Sequence, residues 1–186
     1  MELDSSAGCV NFRDVGEYLS LLTDASPLPA GRLLRGGKLD FVETPADIGR
    51  PGTILNLRRG PERQTFGAQV LHLPAPNDLE NYDTTNRRVR RWLNEVISVF
   101  EQGTLTFPVL VHCTSGKDRT GVVVAALLSI LGTEPRWIVE EYLLSEGDVR
   151  AEWIQQALRG MTDLPRFFHG VDLATVRTTL TGHIPQ

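Results

Sequence analysis

The stretch Val109-Leu-Val-His-Cys-Thr-Ser-Gly-Lys-Asp-Arg-Thr-Gly121 decides how this chain is read. Upstream, Pro108 to Val111 has the length and β-branching of a buried strand, and downstream Val122 to Leu131 is an apolar run long enough for a helix. The polar residues between them therefore join a strand to a helix N-terminus. At such a junction the backbone N–H groups of residues 114 to 119 lack intrahelical partners, and they converge where the helix dipole is positive. Thr114, Ser115, Gly116, Lys117, Asp118 and Arg119 form a cradle sized for one phosphate.

Two side chains give the cradle chemistry. Arg119 offers a planar fork of donors suited to bidentate contact with two phosphate oxygens, which a lysine cannot reproduce. Cys113 sits at the base, where N–H groups and cations favour a thiolate; cysteines at helix N-termini have pKa values lowered to roughly 3.5–7.5. A thiolate facing phosphorus is a nucleophile. By position, His112 holds neighbouring backbone, and the Thr120 hydroxyl is placed to donate to the sulfur when it leaves.

His-Cys, five residues, then Arg-Thr-Gly resembles the signature of the protein tyrosine phosphatase superfamily. That resemblance implies a cysteinyl-phosphate intermediate on Cys113, no metal and no organic cofactor. Asn11-Phe-Arg-Asp-Val-Gly16 and Gly31-Arg-Leu-Leu-Arg35 resemble the opening of a bacterial branch, the tyrosine/serine phosphatases that include lipid-active members. Arg13 and Arg35 either face the site or make surface or structural ion pairs with acids such as Asp14.

The expected fold class is α/β: one phosphatase-like catalytic domain over residues 1–186, three layers α/β/α, with a central, mostly parallel sheet. Leu33–Leu34, Thr53–Leu57 and Gln69–Leu73 are its further strands, each bounded by glycine or proline. Where related sequences often carry Asp-Leu-Arg after the second of these, this chain has Asn56-Leu57-Arg58. A helix from about Thr84 to Gln102 places Val89, Trp92, Leu93, Val96, Ile97 and Phe100 on one apolar stripe. Arg87, Arg88, Arg90 and Arg91 crowd its first turn against the dipole, either as a solvated face paired with Asp78, Glu80 or Asp83 or facing an anion. Further helices are read at Pro135–Ser145, Ala151–Leu158 and Leu173–Leu180. The Phe167-Phe168-His169 connector reads either as a substrate rim or, the favoured reading, as a core pair and an exposed histidine.

Phosphate-ester cleavage needs a proton for the leaving oxygen, a contribution of roughly 10²–10⁴-fold. Asp118, inside the loop, is arranged as in lipid-directed phosphatases such as the myotubularins and in bacterial triple-specificity phosphatases. Asp78, in the Asp/Asn/Pro-rich segment Pro74 to Asp83, stands where ordinary dual-specificity members keep their acid, and Asp83 is the neighbouring candidate. Asp118 is the favoured acid because loop membership guarantees its proximity. Lys117 adds a cation that is either solvated and structural or suited to substrates with more than one phosphate; the expected substrates are phosphotyrosine, phosphoserine or phosphothreonine proteins and phosphoinositides.

The runner-up reading is a non-catalytic module of the same fold that binds phosphorylated ligands, and a weaker third is a sulfurtransferase. Nineteen Lys and Arg against twenty-three Asp and Glu leave a net charge of −4, which argues against a nucleic-acid partner; peripheral contact with anionic lipid stays open, as does the oligomeric state. Cys9 and Cys113, the two cysteines, suggest neither a disulfide framework nor a zinc site, so a reducing, cytoplasmic setting is expected. No apolar run reaches the roughly 18 residues of a membrane span.

Overall fold

A computed structural model describes residues 8–76 and 81–182. Asp78 and Glu80 lie outside the described residues. Among the described residues five strands form one sheet: β1 (Arg13–Asp14), β2 (Leu33–Gly36), β3 (Thr53–Asn56), β4 (Gln69–His72) and β5 (Val109–His112), in the order β1-β2-β5-β3-β4. Only β1 runs antiparallel, against β2; the rest are parallel. β5 is central, and its four residues are buried because parallel strands are covered on both faces. The register aligns Gly36, His112, Asn56 and His72 in one row at the C-terminal edge. Everything that follows His112 therefore emerges there.

The helices are α1 (Val15–Leu22), α2 (Arg87–Ser98), α3 (Asp118–Ile130), α4 (Pro135–Leu143), α5 (Ala151–Gly160), α6 (Leu164–Phe167) and α7 (Leu173–Thr181). Leu33, Leu55, Val109 and Val111 share the larger core with α2 and α3, whereas Leu34, Ile54 and Leu110 face the other way. That second face is covered by Cys9, Leu39, Val42 and a short 3-10 helix, Pro45–Ile48, so the layer there is thin. α3 is the axis of the larger core, with every residue from Thr120 to Leu128 buried. A helix apolar all round can be stable only in that position. Leu127 and Leu128, fully buried, each contribute about 1.5–3 kcal/mol of transfer free energy.

Several boundaries differ from those read from sequence. α3 begins at Asp118, four residues before its apolar run, so the last residues of the loop already form a helical turn. Polar residues carry no periodicity to reveal that. α2 is shorter than the expected Thr84–Gln102. Asn86 caps it by accepting from the Arg88 N–H, while Thr84 and Thr85 are engaged elsewhere, with the Ala157 carbonyl and Asp83. α1 was not foreseen, although its signal was present: Asp14 accepts from the N–H groups of Gly16 and Glu17, and Val15 and Leu19 follow on one face.

Arg13 and Arg35 form structural ion pairs, one of the readings their sequence context allows. They are not surface charges and do not pair with Asp14, whose carboxylate caps α1 and also accepts from the Gly31 N–H. Both are buried against Glu141 of α4, because β1 and β2 carry them beneath the loop.

Candidate active site

The loop from Cys113 to Lys117 leaves β5 at the C-terminal edge and enters α3. Its peptide planes are set from outside by three donors. The Thr114 carbonyl accepts from the Lys38 N–H at 3.0 Å, the Ser115 carbonyl from Asn11 Nδ2 at 2.8 Å and the Gly116 carbonyl from Arg35 Nη2 at 2.8 Å. In a trans peptide the next N–H points opposite to the carbonyl, so the N–H groups of Ser115, Gly116 and Lys117 turn inward. None of the three has a backbone or side-chain acceptor among the described residues. The unpaired N–H groups at the start of α3 extend the same concavity. Gly116 is required here. Its φ is +68°, and a Cβ would lie 2.5 Å from the Gly36 carbonyl carbon.

Cys113 is 1% exposed at the floor. Behind it, Arg35 is fully buried; Nη1 lies 2.6 Å from Glu141 Oε2, and Arg13 Nε lies 2.8 Å from Glu141 Oε1. Arg13 and Arg35 also both reach Ser145 Oγ. Burial lowers the Arg35 pKa to about 10, with Arg13 acting in the same sense, while the charges of Glu141 and Cys113 oppose them. That cation is thus placed to feel the charge of the sulfur. Burial alone would raise the pKa of Glu141, but Arg13 and Arg35 outweigh it and hold the carboxylate low. Two cations around one buried anion leave a positive excess under the loop.

His112 is fully buried, its carbonyl accepting from the Leu57 N–H at 2.9 Å while its Nε2 lies 3.2 Å from Glu62 Oε2. That approach is close but lacks the alignment of a hydrogen bond. Burial works to raise the Glu62 pKa, but His112 and the N–H groups of Arg63 and Gln64 bring it down. The Thr120 hydroxyl is buried with no partner among the described residues, which leaves its proton available.

On the open side Arg119 is half-buried. Its Nη1 is 3.5 Å from the Leu57 carbonyl and Nη2 3.4 Å from Thr114 Oγ1, contacts long enough to exchange for better acceptors. Asp118, 39% exposed at its side chain, accepts from the Tyr82 hydroxyl at 2.7 Å. Lys117 Nζ donates to the Asp148 carbonyl at 2.8 Å and stands 3.8 Å from Asp118 Oδ1. A cysteine, an arginine six residues on and an inward-facing ring of N–H groups are the geometry of an anion site with a nucleophile at its base.

A family model described as the tyrosine phosphatase family matches residues 5–181. The chain belongs to that family. Among curated relatives, the triple specificity protein phosphatase PtpB of Mycobacterium tuberculosis is 42% identical over 65 residues, 35% of this chain and 22% of that protein. A tyrosine-protein phosphatase of Nostoc commune is 49% identical over 37 residues, 20% of this chain and 13% of that protein. The matched stretches thus span less than a quarter of either relative's length. Among solved structures, the core catalytic domain of the PP-IP phosphatase SIW14 from S. cerevisiae in complex with citrate aligns at 14% identity and TM-score 0.48, covering 81% of this chain and 79% of that one.

In this tyrosine phosphatase family member the loop residues expected from sequence, 113 to 119, do converge on one cradle. Asp83 does not join them; its Oδ1 is spent on the Thr85 N–H and hydroxyl. Arg90 leaves the basic face to pack on Phe167, donating through Nε to the Phe167 carbonyl at 3.0 Å. Phe167 and Phe168 are core residues and His169 is exposed, as expected. Asn56, where related sequences carry Asp, shapes the turn after β3 by bonding the Gly60 carbonyl and the Arg58 N–H.

Glu141, Tyr82, Tyr142 and Asn11 were not read as site residues. For Glu141 a signal existed: it falls four residues after Trp137 and three after Ile138, on the inward stripe of α4. A carboxylate on a buried face implies a cation.

Proposed function

We propose that the chain is a Cys-dependent phosphomonoesterase that works through a cysteinyl-phosphate intermediate. The observation that carries this reading is the tying back of three successive loop carbonyls, which aims the N–H groups over Cys113. The cradle and the Arg119 fork hold three phosphate oxygens, and both strengthen as charge spreads over them in the transition state. The Cys113 thiolate attacks in line; the sulfur–phosphorus bond forms as the ester bond breaks, and Asp118 gives the departing oxygen its proton. Water then attacks phosphorus, Asp118 takes its proton, and the sulfur leaves as a thiolate steadied by the Thr120 hydroxyl.

The substrates are phosphorylated. Within that class the reading extends to phosphotyrosine, phosphoserine and phosphothreonine proteins and to phosphoinositides, with Lys117 at the rim as the cation for a further phosphate. Phosphoinositide use would bring peripheral contact with anionic lipid; among the described residues no helix is long and apolar enough to cross a membrane. Two free cysteines agree with a reducing, cytoplasmic setting.

The test is a panel of an aryl phosphate, phosphopeptides of the three hydroxyl types and phosphoinositide vesicles, run on wild type and Cys113→Ser. Turnover by wild type and its loss in the variant, with phosphate-analogue binding retained, is expected. Binding without turnover in wild type would make the chain a phospho-ligand module instead.

A further inference from the structure

Tyr82 and Tyr142 form a hydroxyl pair that the reaction as written does not use. Tyr82 lies just before α2, Tyr142 near the end of α4, and Asp118 opens α3, so three separate segments meet at one carboxylate. The Tyr82 hydroxyl is 2.7 Å from Asp118 Oδ1 and 2.6 Å from the Tyr142 hydroxyl. The two rings are 5% and 1% exposed. Tyr82 is also clamped by ring contacts, edge-on to Tyr142 at 6.1 Å and tilted on Trp153 at 5.8 Å.

Proton accounting fixes the direction of the chain. Each tyrosine has one hydroxyl proton. If Tyr142 donates to Tyr82 and Tyr82 to Asp118 Oδ1, both protons have acceptors; in the reverse direction the Tyr142 proton finds none among the described residues. Burial, with hydrogen bonds and charge from Tyr142 and Asp118, pushes the Tyr82 pKa far up, and burial also raises that of Tyr142, so both hydroxyls stay protonated. Asp118 Oδ1 is thereby held as an acceptor, with Lys117 on the same oxygen at 3.8 Å. Oδ2 has no partner among the described residues, and the side chain is partly exposed.

We propose that Tyr82, itself oriented by Tyr142, is a positioning residue for Asp118: it fixes Oδ1 as an acceptor and leaves Oδ2 to carry the proton given to the leaving oxygen. This rests on the phosphatase reading above with Asp118 as the acid. A free carboxyl would place its proton on either oxygen and rotate; the tyrosine pair removes that freedom before substrate arrives.

The experiment compares Tyr82→Phe, Tyr142→Phe and Asp118→Asn on an aryl phosphate whose leaving group needs no proton and on an alkyl phosphate whose leaving group does. For Tyr82→Phe, kcat on the alkyl ester is expected to fall about tenfold, with KM unchanged and less than about a twofold loss on the aryl ester, a part of the full acid contribution. Tyr142→Phe should show the same leaving-group dependence more weakly, and Asp118→Asn more strongly. An equal loss on both esters, or no loss on either, overturns the proposal, since a merely structural tyrosine would not sort substrates by leaving group. If Asp118→Asn shows no such dependence while wild type turns over both esters, the acid is another group and the proposal fails with the phosphatase reading intact. Absence of turnover in wild type overturns the phosphatase reading itself.

Discussion

Two arginines meet the same loop from opposite sides. Arg35, beneath it, is fully buried and tightly paired, at 2.6 Å to Glu141 and 2.8 Å to the Gly116 carbonyl. Arg119, on the open side, is half-buried and touches its acceptors only at 3.4 and 3.5 Å. Both side chains are permanent cations with identical donor forks, so their environments assign their tasks. A buried arginine with both terminal nitrogens tightly bonded holds the frame; one at the rim with only long contacts is ready to trade weak partners for phosphate oxygens. The pattern extends to the carboxylates, where Glu141 is enclosed between two cations and Asp118 keeps one oxygen without a partner among the described residues.

The sharpest way to break this contrast is to remove the buried anion. Glu141→Ala would leave Arg13 and Arg35 facing each other without compensation, and urea unfolding should show a loss of about 3–5 kcal/mol. Arg119→Lys should instead leave unfolding within about 0.5 kcal/mol of wild type. Its kcat, measured on an aryl phosphate, should fall by about 10²–10³-fold, because the bidentate contacts made in the transition state are gone. If the two variants lose stability alike, the division between frame and working arginine is wrong.

A smaller effect is expected at Asn11. Its φ of +58° suits glycine, so Asn11→Gly removes the side chain without adding backbone strain. That deletes the bond to the Ser115 carbonyl and the one accepted from the Glu146 N–H, for about 1–3 kcal/mol in unfolding experiments. Phosphate-analogue affinity should weaken as the Ser115–Gly116 peptide gains freedom; unchanged affinity would mean that the remaining anchors suffice.

The last effect lies at the acid end of the stability curve. Glu141 has a folded pKa below its unfolded value, so its contribution is fully present above about pH 4.3 and is lost as pH falls through the folded value. Glu141→Gln should therefore flatten the fall in stability below about pH 4.3 relative to wild type. An unaltered slope would contradict the pairing.

The mostly parallel sheet and the catalytic loop were legible in sequence because their signals are local. Val109–Val111 is a short buried strand, and Cys113 to Gly121 has a spacing that few other structures demand. The supports were not legible. Glu141 lies 128 residues from Arg13 and 106 from Arg35, and Asn11 lies 104 from Ser115, so no local pattern joins them. α1 was readable from its Asp14 cap. The start of α3 at Asp118 was not, because apolar periodicity begins only at Val122. Tyr82, just before α2, and Asp118, at the start of α3, were separate facts until the fold brought them within 2.7 Å.

The central claim is that the inward-turned loop serves a covalent phosphoryl transfer to Cys113. Acid quenching during turnover of an aryl phosphate, followed by mass analysis of the Cys113 peptide, tests it most directly. A phosphoryl adduct on Cys113, enriched in Asp118→Asn if that carboxylate also activates water and absent in Cys113→Ser, is the expected result. Sustained turnover in Cys113→Ser, or wild-type turnover with a Cys113 peptide that never carries phosphate in either protein, would contradict it.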